Sequence, residues 1–220
     1  MSRQHYLQEL EAARDNMIQM GETTLALLDV ALAAIAKAQP ELAERAAELE
    51  SQTDDQNRHI HNQCLNLITL QAPVARDARL VTGILEVIVD LELIADYAAE
   101  IADLSVAKNR RPTSQILTQI ADLGGRIREM LSTALNCWRP QDREPGLSVR
   151  ARETAMRAEC QVLYDKLGAL LSGPGDGGAY INLLFICRHL ERIARHAVTI
   201  AEQAAAAAPS AEASETQTAG

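Results

Sequence analysis

Residues 90–103 read "DLELIADYAAEIAD" and place Glu92, Asp96, Glu100 and Asp103 three or four positions apart. On a helix turning ~100° per residue, Asp96 lies ~40° from Glu92, Asp103 ~20° and Glu100 ~80°, so all four share one stripe. Val81, Leu85 and Ile88 extend that stripe toward the N-terminus, and the main apolar face (Leu91, Ile94, Ala98, Ile101) lies on the far side. Carboxylates that continue an apolar stripe are partly desolvated. They must be paired, protonated or bound to a cation. No Lys or Arg follows Arg79 on this stretch. The chemistry suited to such a stripe is binding of a hard, oxygen-preferring cation. The plainer alternative is a solvated acidic face.

A preceding stretch, "ELESQTDDQNRHIHNQC", offers partners. Glu50 and Asp54 are one turn apart there, with Asp55 beside them. His59, His61 and Cys64 are ligand types, but polar-side histidines on a helix are ordinary surface residues. Ninety-nine positions after the first motif the chain reads "HLERIARHAVTIAE", residues 189–202. Glu92 recurs as Glu191, whereas Asp96 becomes Arg195. Arg195 stands one turn C-terminal to Glu191, the favourable order for a helical acid–base pair. It is expected to supply a tethered cation to Glu191, with a carboxylate on the neighbouring helix, such as Glu159, also within its reach. His189 and His196 read as surface residues, and Tyr97 and Tyr164 as isolated packing residues. There is no Gly-rich loop opening a helix, no nucleophile elbow and no H-E-x-x-H, so catalysis has little support.

The elements that position these residues are legible from composition and breakers. The chain has 220 residues, 47 % hydrophobic and only 3 % aromatic, rich in Ala. That mixture favours helices over sheet. Pro and Gly divide it into six helical segments, 3–38, 41–71, 74–105, 113–138, 148–171 and 178–206, with Pro40 and Pro112 near helix starts and Pro73 at a break. Long helices with short connections pack antiparallel. A second match, "MGETTLALLDVAL" (20–32) with "LGGRIREMLSTAL" (123–135), supports a repeated three-helix unit. The expected fold is all-α, two repeated three-helix bundles over 1–106 and 107–206, with a polar, disordered tail at 207–220.

A net charge of −9, 30 acidic against 21 basic residues, leaves no basic footprint for nucleic acid. No apolar run approaches the ~18 residues of a membrane span, and the N-terminus lacks the apolar region of a secretory signal. Four scattered cysteines read as buried free thiols. A cytoplasmic protein without membrane insertion is expected.

"QAPVARDARL" (71–80), "CLNLI" (64–68), "DLELIADYAAEIA" and "HLERIARHAVTIAE" together resemble the PhoU family of phosphate-uptake regulators, over roughly residues 5–206. The resemblance implies two three-helix bundles and no enzymatic activity. It also implies a cytoplasmic, commonly dimeric accessory to the phosphate ABC transporter, including its ATPase subunit, and to its sensor histidine kinase. Some members bind iron- or zinc-type clusters through E/D-x-x-x-D motifs. By position, Glu92 and Asp96 match the first motif and Asp54 the acidic position on the preceding helix; Glu50 and Glu100 are weaker matches. The chain departs from the pattern at Leu93, Ala95, Ala194, Tyr97, Arg195 and Gln161, which puts metal at the second motif, Glu191 and Arg195, in doubt. Two other readings stay open: a di-metal carboxylate enzyme, which needs paired Glu-x-x-His motifs that the chain lacks, and a purely structural helical adaptor.

Overall fold

A computed structural model of the chain describes residues 3–71, 75–107, 114–139, 147–173 and 177–207. Six α-helices make up the fold: α1 (Arg3–Lys37), α2 (Pro40–Gln71), α3 (Ala75–Val106), α4 (Ser114–Asn136), α5 (Leu147–Leu171) and α6 (Gly177–Ala207). Among the described residues there is no strand. The expected break at Pro73, the Pro112–Thr113 helix start and the tail after Ala207 lie outside the described residues.

Pro40 opens α2, where its missing N–H costs nothing. Ala38 closes α1 in the left-handed region at φ 50°, with its N–H on the Ala34 carbonyl. Without a glycine this turn costs roughly 1 kcal/mol. α1, α2 and α3 pack on one another, as do α4, α5 and α6, and the two groups meet through α3 on α6 and α1 on α4. One continuous apolar core runs through all six helices. By length and composition alone α1 passes as a membrane-span candidate, with an 18-residue window of mean hydropathy 1.4, but Glu22 and Asp29 interrupt that window, so it is not an apolar run. Its hydropathy has a local reason. α1 touches three other helices, and Leu27, Leu28, Ala31 and Ile35 are core residues.

Two pairs of contacts reveal a pseudo-twofold. The repeat offset of 99 carries Asp90 to 189 and Tyr97 to 196. His196 Nδ1 lies 2.7 Å from Asp90 Oδ1, and the counterpart contact is His189 stacked on Tyr97, ring centroids 5.4 Å apart. In the α1/α4 layer, Gly21 faces Leu135 while Gly124 faces Leu32, again the same contact with the repeats exchanged. A Cβ on either glycine would run into the facing leucine, so the bare backbone lets α1 and α4 approach.

The α3/α6 crossing corrects the reading of its histidines as surface residues. His189 is 7 % exposed, and its Nε2 lies 2.9 Å from Glu100 Oε2. Burial, opposed by Glu100 and aided by Arg192 and Arg188, holds its pKa below the usual histidine value. Tyr97 also contacts the His196 ring, and the Arg192 guanidinium lies over its face. Tyr97 is therefore the centre of a polar seam. Trp138, the single tryptophan, bolts the end of this seam: its Nε1 donates to the Ile200 carbonyl at 3.0 Å, and its ring fills the space where Gly83 has no side chain.

Neighbouring glycines on α4 give a direct test. A Cβ at Gly125 meets nothing within 4 Å, whereas one at Gly124 collides with Leu32. Gly125→Ala should raise stability by about 0.5–1 kcal/mol through helix propensity. Gly124→Val should lower it by about 1–3 kcal/mol through overpacking. Thermal melts followed by circular dichroism read both; equal signs would refute the close-approach account.

Candidate functional site

Two grooves occupy equivalent places, one between α2 and α3, the other between α5 and α6. In the first, Glu50 and Asp54 of α2 face Glu92 and Asp96 of α3, all half-buried. Burial raises the pKa of Glu92, and Asp54 and Asp96 raise it further; Arg58 and a hydrogen bond donated by the Asn57 side chain oppose them. Asp96 is raised by burial and then by Asp54 and Glu100. Glu50 is raised by burial and then by Asp54, Asp96 and Glu92. The structure thus brings Glu50, Asp54, Glu92 and Asp96 within each other's field. Glu100 belongs elsewhere, on His189 in the seam. His59 and His61 are exposed and Cys64 is buried, so these three do not form a ligand set.

Among the described residues, no three His, Cys, Asp or Glu side chains stand in an arrangement that could hold a metal ion. The Asn57 amide already occupies one side of Glu92. As placed, the iron, zinc or other divalent cation implied by the resemblance has no fitting donor set.

The second groove solves the same problem with arginine. Tyr164 donates to Glu191 Oε2 at 2.9 Å and Arg188 donates to the same oxygen at 2.7 Å. Arg195 Nη2 stands 3.7 Å from Oε1. Burial alone would raise the Glu191 pKa; the hydrogen bonds from Arg188 and Tyr164 and the charges of Arg188 and Arg195 outweigh it and hold the carboxyl below its usual range. Arg157, paired with Glu153, adds another guanidinium at the groove. Arg195 is therefore the outer member of a cage whose nearer members are Arg188 and Tyr164. It does not take Glu159, which is bound by both terminal nitrogens of Arg126 from α4. Gln161 donates to Asp165 on its own helix. Tyr164 is not an isolated packing residue. Its spacing from Glu191 carries no motif; only the α5/α6 packing joins them.

Cys137 is only half-buried and donates its thiol to the Thr133 carbonyl, whereas Cys64, Cys160 and Cys187 are buried and form no disulfide, and burial pushes the Cys160 and Cys187 thiols up to about 12 and Cys64 up to about 11. Such thiols are inert near neutral pH. What the grooves present is electrostatic: a surplus of negative charge on one, a neutralised carboxylate ringed by guanidinium groups on the other.

Equivalent motif residues should therefore respond oppositely to neutralisation. Asp96→Asn relieves repulsion and should raise the melting temperature. Raised folded carboxyls destabilise the fold only above the unfolded pKa, so this gain should be absent near pH 3 and grow toward pH 7. Glu191→Gln weakens charge-assisted bonds and should cost about 1–3 kcal/mol at pH 7. Melting curves across this range check both, and a stabilising Glu191→Gln would refute the cage.

Comparisons with known proteins agree with this architecture. The family model described as PhoU domain matches residues 17–105 and 120–204. A phosphate-specific transport system accessory protein PhoU homolog of Synechocystis sp. is 29 % identical over 201 residues, covering 91 % of this chain and 90 % of that protein. Its counterpart in Pseudomonas aeruginosa is 26 % identical, covering 90 % and 83 %. The crystal structure of PhoU from Pseudomonas aeruginosa superposes with a TM-score of 0.85 at 26 % identity, covering 90 % of this chain and 96 % of that one. PhoU from Streptococcus pneumoniae shares the fold, with a TM-score of 0.82 at 22 % identity, covering 90 % and 94 %. With both repeats matched by the family model and the paired helices in place, this chain belongs to the PhoU family.

Proposed function

We infer that the protein is a non-catalytic, negative regulator of phosphate uptake and phosphate-starvation signalling. In this reading it works in the cytoplasm as a homodimer that binds the ATPase subunit of a phosphate ABC transporter, a sensor histidine kinase, or both. The observation that carries the reading is the match of both repeats to the PhoU domain, together with relatives named as accessory proteins of a phosphate-specific transport system. The long α3 and α6 surfaces, ~45 Å each, suit docking along a helix face. A di-metal enzyme would require facing Glu-x-x-His pairs, and the second groove devotes Glu191 to Arg188 and Tyr164. A purely structural adaptor would leave phosphate physiology untouched.

Deleting the protein from its host should raise expression of phosphate-starvation genes in phosphate-replete medium and alter phosphate uptake. Affinity purification of the intact protein should recover the transporter ATPase or the kinase. Unchanged expression and uptake in the deletion strain would contradict the regulatory reading.

A further inference from the structure

The two grooves differ at every acidic position but one. The repeat offset of 99 carries Glu92 to Glu191 and Asp96 to Arg195. An offset of 107 carries Asn57, which donates to Glu92, onto Tyr164, which donates to Glu191. The same offset carries Glu50 to Arg157 and Asp54 to Gln161. Four carboxylates in one groove thus become one carboxylate and two guanidinium groups in the other. Arg188 adds a third guanidinium, and Glu153, paired with Arg157, takes one charge back. Arg195 stands 3.7 Å from Glu191, beyond a hydrogen bond, and its side chain is half exposed. This cationic end of the groove runs into an apolar one. α5 and α6 are antiparallel, with Tyr164 on Glu191 and Arg150 on Glu202. Two turns along that register, Leu171 comes opposite Leu184. On α6, Ile181, Phe185, Arg192 and Arg195 all lie within ~60° of Arg188 and form one stripe. Phe185, the single phenylalanine, is 53 % exposed, Ile181 45 % and Leu171 37 %.

We propose that the α5/α6 groove is the docking site for an acidic amphipathic helix of the partner protein, which lays its apolar side chains on Leu171, Ile181 and Phe185 and its carboxylates on Arg188 and Arg195. This deepens the partner-binding reading given above and rests on it. From Ile181 to Arg195 the stripe runs about four turns, ~21 Å, so the occupant is a helix of that length, apolar at one end and acidic at the other. Charge decides its chemistry. The guanidinium groups of the groove outnumber the carboxylates that face them. A basic helix would be repelled, and a neutral apolar one would bury guanidinium groups with no counter-charge. The occupant is also narrow. α3 borders the stripe on the side opposite α5: His189 and His196 turn to α3, Glu191 to α5. α3 and α6 are antiparallel, so the pseudo-twofold that exchanges them stands perpendicular to both. The matching α3 stripe, with Glu86, Glu100 and Asp103 exposed, therefore faces the same side. A flat anionic bilayer laid on α6 would meet these acids and be repelled. A single helix seated toward α5 leaves them in water. A contact of four turns is at the small end of interfaces, which suits a partner that binds and lets go.

The test is binding of the full chain to two probes, the purified transporter ATPase subunit and the detergent-solubilised sensor kinase of its host. At least one should bind wild type, and more weakly as salt rises. Phe185→Ser and Arg195→Glu should each weaken that complex by roughly tenfold or more, and Arg195→Lys, which keeps the charge, by less than about threefold. Val162→Ser, at an equally exposed apolar position on the α4 side of α5, should change nothing. The photo-cross-linker p-benzoylphenylalanine in place of Phe185 should label a helical partner segment of net negative charge. Lysine at the carboxylates of that segment should restore binding to Arg195→Glu. A wild type that binds neither probe would overturn this site and the partner reading together. A complex indifferent to Phe185→Ser and to Arg195→Glu, or a label on a basic segment, would overturn this site alone. So would phosphatidylglycerol vesicles that sediment wild type but not Phe185→Ser, with the protein complexes untouched by the same substitution. The deletion phenotype reads phosphate regulation separately from these outcomes.

Discussion

The fold depends on how α3 crosses α6. The core is otherwise almost wholly apolar, and apolar contacts tolerate sliding. At this crossing Tyr97 is clamped between His189 and His196, with Asp90 and Glu100 at the two ends and Arg192 above. Buried polar groups are costly to leave unpaired. A slip of one helical turn would separate Asp90 from His196 and Glu100 from His189, so the seam fixes register where the aliphatic packing does not. The α1/α4 layer, where Gly21 and Gly124 receive each other's leucines, sets the spacing to match. Among the described residues α2 and α5 touch only the helices of their own repeat, so their grooves lie where these two layers place them.

On that symmetric scaffold the two grooves have diverged electrostatically. Both keep a half-buried glutamate at the same turn, Glu92 and Glu191. In the first the surrounding groups are Glu50, Asp54 and Asp96, and burial adds to their mutual repulsion. In the second they are Arg188, Arg195 and the Tyr164 hydroxyl, and the same burial is outweighed. The reversal at Asp96 and Arg195 thus belongs to a wider change that includes Arg188, where the first repeat has Val89, and Arg192, where it has Leu93. One repeat is left with stored repulsion while the other spends its charges internally.

Much of this was legible in the sequence because helix periodicity and a repeat offset are local properties. Six helices, the pairing of residues 90–103 with 189–202 and the partial burial of Glu92 and Asp96 follow from spacing alone. The seam was not legible. On a wheel drawn for α6 by itself, His189 and His196 fall away from Glu191 and look solvated; only the crossing with α3 covers them. Arg195 reaching Glu159 was a fair inference from two facing helices, but Arg126 arrives from a third. Gly21 and Gly124 occupy the same place in the aligned α1 and α4 segments, yet a glycine in a helix means nothing until the leucine opposite is known. Gly83 and Trp138 are the same lesson with a larger side chain.

The seam makes the two repeats one cooperative unit. Trp138 reports on it directly, because the indole is held by α6 and packed against Gly83 of α3. Urea unfolding followed by Trp138 fluorescence and by far-ultraviolet circular dichroism should give coincident single transitions, since losing the seam and losing the helices are then one event. Two separated transitions, with the fluorescence change completed while half of the helical signal remains, would contradict the account.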